Sequence, residues 1–264
     1  MNRIDIKFNE LKKKNKKALI PFVTAGDPNI ATTEKIVLNI CNKGADIVEI
    51  GLPYSDPLAD GPIIQNSSQN ALKNGVKTKD IMNCVKNIRE HTDTPIVYLV
   101  YYNSIFRYGV DKFISDSGKC GVDGIIIPDL PIEERESIID IAKKYEVYLI
   151  PLVAPTSKDR IKQIVNSGGG FVYCVSKNGV TGITGNINTN MKEYIDIVAT
   201  YTDLPKAIGF GIKGPKMVAK FKEYCNGIIV GSALVDIIDK SSNEETVIKN
   251  AGSFVEELRE ALDS

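Results

Sequence analysis

Two carboxylates, Glu49 and Asp60, lie at the two ends of one proline-rich loop and are the strongest candidates for acid–base chemistry. Glu49 interrupts the apolar run 46–51, in which strand alternation turns Val48 and Ile50 to one face and Glu49 to the other. Burying a carboxylate without a partner costs on the order of several kcal/mol, and no strand end offers an inward-facing Arg or Lys. The sequence therefore predicts a catalytic role for Glu49.

Asp60 has two possible roles. The loop over residues 52–62 contains three prolines, and a loop stiffened in this way can hold Asp60 opposite Glu49. Alternatively, Asp60 caps the helix that is expected to begin near Pro62, because the sequence Asp-Gly-Pro suits the start of a helix. The residues alone leave catalysis and capping evenly balanced.

Composition excludes several other kinds of chemistry. The 264 residues include a single histidine, His91, in a charged segment, so Ser-His-Asp and Cys-His catalysis and most histidine-bound metal sites are excluded, and no metal is expected. Lys and Arg number 33, as do Asp and Glu, so no net charge favours nucleic acid or an anionic membrane. Acid–base groups must be carboxylates, Tyr or Lys.

The cysteines and the amino terminus indicate a cytoplasmic protein. The 5 cysteines are widely spaced and odd in number, which argues against a disulfide framework and a structural zinc site. Residues 1–9 are too charged for a signal peptide, and no apolar run approaches the length of a membrane span. We therefore expect a chain that is neither exported nor inserted in a membrane.

Glycine-containing turns late in the chain predict a phosphate site. They are residues 179–182, which end in Gly182, residues 209–211, which end in Gly211, and the pair Gly231-Ser232. Glycines let backbone N–H groups approach phosphate oxygens, and Ser232 can begin a short helix whose N-terminal dipole favours an anion. The glycines at 168–170 precede their strand, so we expect only a tight turn there.

Short apolar runs rich in β-branched residues alternate with helical stretches along the whole chain. The runs are residues 18–24, 45–51, 95–101, 124–128, 147–153, 170–175, 205–209 and 227–231. An amphipathic helix with Ile4, Phe8 and Leu11 on one face precedes them. Continuous apolar strands imply a parallel sheet covered by helices, and eight such units close into a ring.

The expected fold is therefore a single-domain (β/α)8 TIM barrel over residues 1–264, with an extra N-terminal helix and a short phosphate-binding helix after strand 8. An open dinucleotide-binding sheet is the alternative, because residues 209–214 match G-x-G-x-x-G. That match follows the seventh strand and lacks the acidic residue expected about 20 positions later, which disfavours a dinucleotide site.

The motifs at residues 21–28, 49–62, 128–131 and 176–182 together resemble the tryptophan synthase alpha subunit family nearly over the full length. The stretch 49–62 is the most specific. The resemblance implies retro-aldol cleavage of indole-3-glycerol phosphate to indole and glyceraldehyde 3-phosphate, with no cofactor in this chain. It implies that Glu49 is the general acid–base, and it settles Asp60 as the carboxylate that stabilises positive charge at the indole N–H.

The resemblance also implies pocket residues and a partner. Phe22, Leu99, Tyr173, Thr181 and Phe210 match positions of the indole pocket. The family implies a beta subunit that carries pyridoxal phosphate and receives indole, in an α2β2 complex, with residues 54–58 and 103–108 as the docking region. A stand-alone lyase that releases free indole is one alternative, and a non-catalytic barrel that only activates a partner is another.

Overall fold

The computed structural model describes residues 1–175, 187–209 and 211–264, and its centre is a parallel β-sheet. The strands are β1 (Ala18–Thr24), β2 (Val48–Gly51), β3 (Ile96–Leu99), β4 (Gly124–Ile126), β5 (Tyr148–Leu149), β6 (Leu152–Val153), β7 (Val172–Val175), β8 (Lys206–Gly209) and β9 (Gly227–Val230). Among the described residues, nine strands pair in the order β5-β4-β3-β2-β1-β9-β8-β7-β6. All of the neighbouring pairs are parallel.

The two ends of this strand order are consecutive in the chain. The run predicted as one strand over residues 147–153 forms two short strands, β5 and β6, and the connection between them contains Pro151, which has no N–H group to donate. Ile150 N donates to Ile125 O in β4 at 2.9 Å, and Tyr173 N in β7 donates to Pro151 O at 2.8 Å. One segment therefore joins both edges of the sheet. The predicted TIM-barrel fold is confirmed.

Helices cover the outside of the sheet. They are α1 (Arg3–Lys13), α2 (Ile30–Asn42), α3 (Pro62–Lys73), α4 (Thr78–Arg89), α5 (Tyr102–Tyr108), α6 (Val110–Cys120), α7 (Arg135–Lys144), α8 (Ile161–Val165), α9 (Ile187–Ala199), α10 (Pro215–Phe221), α11 (Ser232–Lys240) and α12 (Glu244–Asp263). Within the described residues, three 3-10 helices adjoin α7, α8 and α10: Ile132–Glu134, Pro155–Arg160 and Lys222–Tyr224. The predicted N-terminal helix and the helix after the last strand are both present.

Two hydrophobic clusters reflect the alternation of side chains along the strands. The larger cluster lies between strands and helices and includes Leu19 and Val23 from β1. The smaller cluster fills the barrel interior and includes Ile20 and Phe22 from the same strand. Because neighbouring residues of a strand point to opposite faces, β1 supplies both clusters in turn. This alternation decides which side chains reach the inside of the barrel.

Helix α1 closes the amino-terminal end of the barrel. Ile4, Phe8 and Leu11, the face predicted from the sequence, pack into the interior cluster. The Phe8 and Phe171 rings lie 5.8 Å apart between centroids. Within the described ranges, no helix is both long and apolar enough to cross a bilayer.

Candidate active site

Glu49 lies on the inner side of β2, two residues before the strand ends at Gly51. Its register partners are Phe22 in β1 and Val97 in β3, both of which belong to the interior cluster. Its neighbours in sequence, Val48 and Ile50, belong to the outer cluster instead. The alternation expected from the sequence therefore directs the carboxylate into the barrel, where active sites of this fold are built.

Burial controls the protonation of Glu49. The residue is 1% exposed, and its Oε2 atom has no hydrogen-bond partner among the described residues. Burial raises the pKa of Glu49 to about 8, and the nearby negative charge of Asp60 contributes in the same direction. The carboxyl group therefore carries a proton at neutral pH and can act as an acid.

Asp60 lies in the loop after β2 and is held by a hydrogen bond to its side chain. The Tyr101 hydroxyl donates to Asp60 Oδ2 at 3.0 Å, and the same hydroxyl accepts from Ala59 N at 3.0 Å. Burial raises the pKa of Asp60 to about 6, although the hydrogen bond from Tyr101 opposes this effect. Asp60 is therefore mainly ionised at neutral pH, whereas Glu49 is mainly protonated.

Asp60 does not cap the following helix. The N-cap residue of α3 is Gly61, and no side-chain hydrogen bond caps this helix. Pro62 begins α3, and Gln65 Nε2 in its first turn donates to the backbone oxygen of Asp60 at 2.9 Å. The capping alternative is wrong because the Asp60 side chain turns toward Tyr101 instead of the helix.

Three of the predicted pocket residues lie in the barrel interior, as Glu49 does. Phe22, Leu99 and Tyr173 are each 8% exposed or less and belong to the interior cluster. The Tyr173 pKa is raised well above its usual value, first by burial and then by the charges of Glu49 and Asp60. The structure therefore brings Glu49, Asp60 and Tyr173 into one electrostatic environment.

Two glycines at strand ends make room for aromatic rings in this region. A Cβ atom at Gly51 would lie 2.5 Å from the Phe22 ring. A Cβ atom at Gly209 would lie 2.6 Å from the Tyr173 ring. Both distances are well below van der Waals contact, so a larger residue at either position would displace an aromatic ring that lines the barrel interior.

The candidate phosphate residues are described only in part. Gly231 follows β9 and is the N-cap residue of α11, which begins at Ser232. Gly211 adopts a φ of 75°, a conformation that favours glycine. Thr181, Gly182 and Phe210 lie outside the described residues. Gly231 and Ser232 therefore present a helix N-terminus at the carboxyl end of β9, the end of the barrel that also carries Glu49.

Tyr101 is the functional candidate that the sequence analysis missed. It is 3% exposed, and its ring stacks on that of Tyr54 with centroids 5.0 Å apart and planes inclined by 19°. The Tyr54 hydroxyl accepts from Asn103 Nδ2 at 3.2 Å. Tyr101 lies two residues beyond inward-facing Leu99, so alternation along the third strand could have identified it as a residue of the barrel mouth.

Fold and site together define an α/β-barrel protein with a protonated and an ionised carboxylate near the carboxyl ends of its strands. A family model for the tryptophan synthase alpha chain matches residues 8–263. The chain therefore belongs to the tryptophan synthase alpha chain family.

Individual relatives agree with this membership. The chain is 60% identical over 263 residues to the tryptophan synthase alpha chain of Clostridium kluyveri, with 100% of each covered. It is 60% identical over 262 residues to that of Caldanaerobacter subterraneus subsp. tengcongensis, with 99% of this chain and 100% of the relative covered.

Solved structures are similar over the whole fold. The alpha chain of tryptophan synthase from Legionella pneumophila subsp. pneumophila has a TM-score of 0.90 at 33% identity, with 100% of this chain and 98% of that chain covered. Tryptophan synthase from Mycobacterium tuberculosis has a TM-score of 0.90 at 31% identity, covering 99% of this chain and 98% of that chain.

Proposed function

We propose that the chain cleaves indole-3-glycerol phosphate to indole and glyceraldehyde 3-phosphate by a retro-aldol reaction. The observation that carries this proposal is the environment of two carboxyl groups: Glu49 is buried without a hydrogen-bond partner among the described residues, which favours its protonated form, whereas Asp60 accepts a hydrogen bond from Tyr101, which favours its ionised form. Family membership supports a carbon–carbon lyase, and these two protonation states suit a reaction that needs both an acid and an anion.

In the proposed reaction, Glu49 donates one proton to the substrate and then accepts one proton from it. Protonated Glu49 donates its proton to indole C3, and the positive charge that develops at the ring N–H is stabilised by ionised Asp60. The Glu49 carboxylate then removes the proton from the hydroxyl group next to the ring. The bond from indole C3 to that carbon breaks, its electron pair restores the aromatic ring, and the hydroxyl carbon becomes the aldehyde.

Membership of the tryptophan synthase alpha chain family supports the remaining roles. Phe22, Leu99 and Tyr173 form apolar walls for the indole ring, together with Thr181 and Phe210. Gly231 and Ser232 bind the phosphate through backbone N–H groups at the start of α11, together with Gly182 and Gly211. No cofactor takes part in this chain's reaction.

We also propose that a tryptophan synthase beta subunit, carrying pyridoxal phosphate, docks at the mouth of the barrel in an α2β2 complex and receives the indole. Exposed apolar side chains around the mouth support this surface: Leu58, in the loop after β2, is 93% exposed, and Phe106, in α5 after β3, is 66% exposed. Large apolar side chains exposed together are typical of interaction sites. The Tyr54 and Tyr101 rings connect this surface to Asp60.

The test is an indole-release assay on the purified chain and on Glu49→Gln, each with and without a beta subunit. Glu49→Gln is expected to lower the rate at least about hundredfold, because the amide can neither donate nor accept the transferred proton. Glu10→Gln is the matched control, because Glu10 is exposed on α1 at the opposite end of the barrel.

The same assay separates the alternatives. Rapid release of indole by the chain alone, unchanged by a beta subunit, would favour the stand-alone lyase. If the wild-type chain associates with a beta subunit but releases no indole, the non-catalytic barrel is correct. A Glu49→Gln variant as active as wild type would contradict the role assigned to Glu49.

A further inference from the structure

Few buried polar side-chain atoms lack a hydrogen-bond partner in the part of the chain that the structure describes. They are Thr24 Oγ1, Glu49 Oε2, Arg89 Nε, Ser117 Oγ and Arg259 Nε. The two arginines make hydrogen bonds through their other guanidinium nitrogens. Ser117 lies in α6, on the outside of the barrel. Thr24 and Glu49 alone among these five residues lie on adjacent strands of the barrel wall.

Thr24 faces the same interior as Glu49. Along β1, Ile20 and Phe22 belong to the interior cluster, whereas Leu19 and Val23 belong to the outer cluster, so alternation directs the Thr24 side chain inward. Thr24 is 3% exposed. The Thr24 hydroxyl group therefore lies on the side of the barrel wall that carries Glu49, and not on the side that faces the helices.

The register places Thr24 closer to the mouth than Glu49. Phe22 is paired with Glu49, and Thr24 is paired with Gly51, one inward-facing position further along both strands. Gly51 has no side chain that could offer the Thr24 hydroxyl a partner. Thr24 Oγ1 and Glu49 Oε2 are both shielded from solvent and have no partner among the described residues, so each can pair with a group that enters the barrel mouth.

The order of the strands indicates which part of a ligand Thr24 meets. Strand β1 lies between β9, which leads into Gly231 and Ser232, and β2, which carries Glu49. Thr24 therefore lies between the candidate phosphate residues and the acid–base carboxyl group. In a substrate that joins an aromatic ring to a phosphate, the atoms between these two points are those of the connecting carbon chain.

We infer that Thr24 is a further substrate-contacting residue, whose hydroxyl group forms a hydrogen bond with a hydroxyl group on the chain between the indole ring and the phosphate. The inference rests on the proposed function, because that substrate carries hydroxyl groups on this chain. A site built to bond a hydroxyl group discriminates against an analogue that lacks it, because its own polar group is then left buried and unpaired. Thr24 thus sets specificity for a hydroxylated chain.

The test compares Thr24→Val, which keeps the shape and removes the hydroxyl group, with Thr24→Ser, which keeps the hydroxyl group. For indole-3-glycerol phosphate, Thr24→Val is expected to lower kcat/KM by about tenfold or more, and Thr24→Ser by less than about threefold. For an analogue with a plain propyl chain between indole and phosphate, both variants should keep the wild-type Kd within about twofold.

Thermal unfolding separates this role from packing. Thr24→Val should keep or raise the Tm, because it removes an unpaired buried hydroxyl group. Thr33→Val is the matched control, because the Thr33 hydroxyl accepts from Gly26 N at 3.0 Å and donates to Asn29 O at 2.9 Å. Thr33→Val should lower the Tm and leave unchanged the ratio of the affinities for indole-3-glycerol phosphate and for the propyl analogue.

Three results would overturn the inference. One is a Thr24→Val variant with wild-type kcat/KM. Another is a variant with a lower Tm that loses affinity equally for the substrate and the propyl analogue, because Thr24 would then only pack. The third is a wild-type chain that does not cleave indole-3-glycerol phosphate, and this result is recognised separately because it removes the proposed function before any variant is compared.

Discussion

Glu49 and Asp60 are both carboxylates, yet their surroundings give them different protonation states. Glu49 is 1% exposed, whereas Asp60 accepts a hydrogen bond from the Tyr101 hydroxyl, which opposes the effect of burial on its pKa. Alternation along one strand was enough to predict the inward direction of Glu49. The Tyr101 partner was not predicted, because it depends on how the loop after β2 folds over the end of β3.

Replacing Tyr101 with Phe should shift the acid limb of activity. If Asp60 must be ionised and Glu49 protonated, kcat/KM against pH is bell-shaped, with limbs near the pKa values of about 6 and about 8. The Tyr101 hydrogen bond lowers the Asp60 pKa, so its loss raises that pKa and moves the acid limb to higher pH. At pH 6 we expect about tenfold lower kcat/KM, with the basic limb unchanged.

Tyr145→Phe provides the control for this pH profile. The Tyr145 hydroxyl donates to Asp111 Oδ2 at 3.2 Å on the outside of the barrel, so its loss should leave both limbs in place. A Tyr101→Phe profile with both limbs moved together, or with neither moved, would contradict the assignment of the acid limb to Asp60.

Among the elements, the segment over residues 147–153 departs most clearly from its predicted form. The apolar pattern predicts one continuous strand, but only short stretches pair with β4 and with β7. Between them, the Ile150 carbonyl accepts from Arg135 Nη2 at 3.1 Å instead of from a strand. Hydrophobicity reports burial, and it does not reveal where a proline or a buried guanidinium interrupts a ladder of backbone bonds.

Gly168→Ala should destabilise the segment over residues 147–153, which closes the barrel and is called the closing segment below. A Cβ atom at Gly168 would overlap the Leu149 carbonyl oxygen and lie 2.9 Å from Cδ of Pro151. Because both neighbours are held by the closing segment, we expect the overlap to lower the Tm by about 5 °C or more in a thermal unfolding experiment. The glycines at 168–170 thus do more than form the tight turn that was expected, because Gly168 packs directly against a strand.

Gly214→Ala is the control for this experiment, since a Cβ atom at Gly214 would meet nothing within 4 Å. The packing argument for Gly168 fails if the two alanine variants unfold at the same temperature as wild type. It also fails if Gly214→Ala is the more strongly destabilised variant.

For the molecule as a whole, repeated apolar runs were sufficient to predict the barrel. The face of α1 was also predictable, because Ile4, Phe8 and Leu11 follow a helical spacing. A helical stretch was expected between the runs at residues 95–101 and 124–128, but its division into two helices was not: α5 has seven residues, of which only Ile105 is buried, and Gly109 separates it from α6 with a φ of 94°. The candidate phosphate site could be predicted only as separate turns, because only the closure of the barrel would bring those turns together.

The buried carboxylate of Asp123 joins several elements at the amino-terminal end of the barrel. Asp123 is 3% exposed and accepts from Arg3 Nη1 at 2.9 Å, from Arg89 Nη2 at 3.2 Å and from Ile96 N at 2.8 Å. These donors belong to α1, α4 and β3. Asp123 therefore connects the helix that closes the barrel with the sheet and the surrounding helices.

Asp123→Ala should lower the free energy of unfolding by about 3–5 kcal/mol, because it leaves the partly buried Arg89 guanidinium without its carboxylate. Denaturant titration measures this loss. The KM for indole-3-glycerol phosphate should stay within about twofold at a temperature where the variant is folded, because Asp123 lies at the opposite end of the barrel from the candidate site.

Asp93→Ala is the matched control, since Asp93 is 98% exposed and its carboxylate lies 3.8 Å from Arg3 Nε. It should cost less than about 1 kcal/mol. Equal losses of unfolding free energy in Asp123→Ala and Asp93→Ala would show that Asp123 does not stabilise this end of the barrel. A large rise in KM for Asp123→Ala would show that the two ends of the barrel are not independent.

The closure of the amino-terminal end by α1 also determines the route by which small molecules enter and leave the barrel. Among the described residues, Phe8 and Phe171 pack together at this end and side chains fill the interior, so the opening of the barrel lies at the end that carries Glu49 and Ser232. Under the proposed reaction, both products must leave through the opening by which the substrate entered. A protein docked over that opening would control the order in which the two products leave.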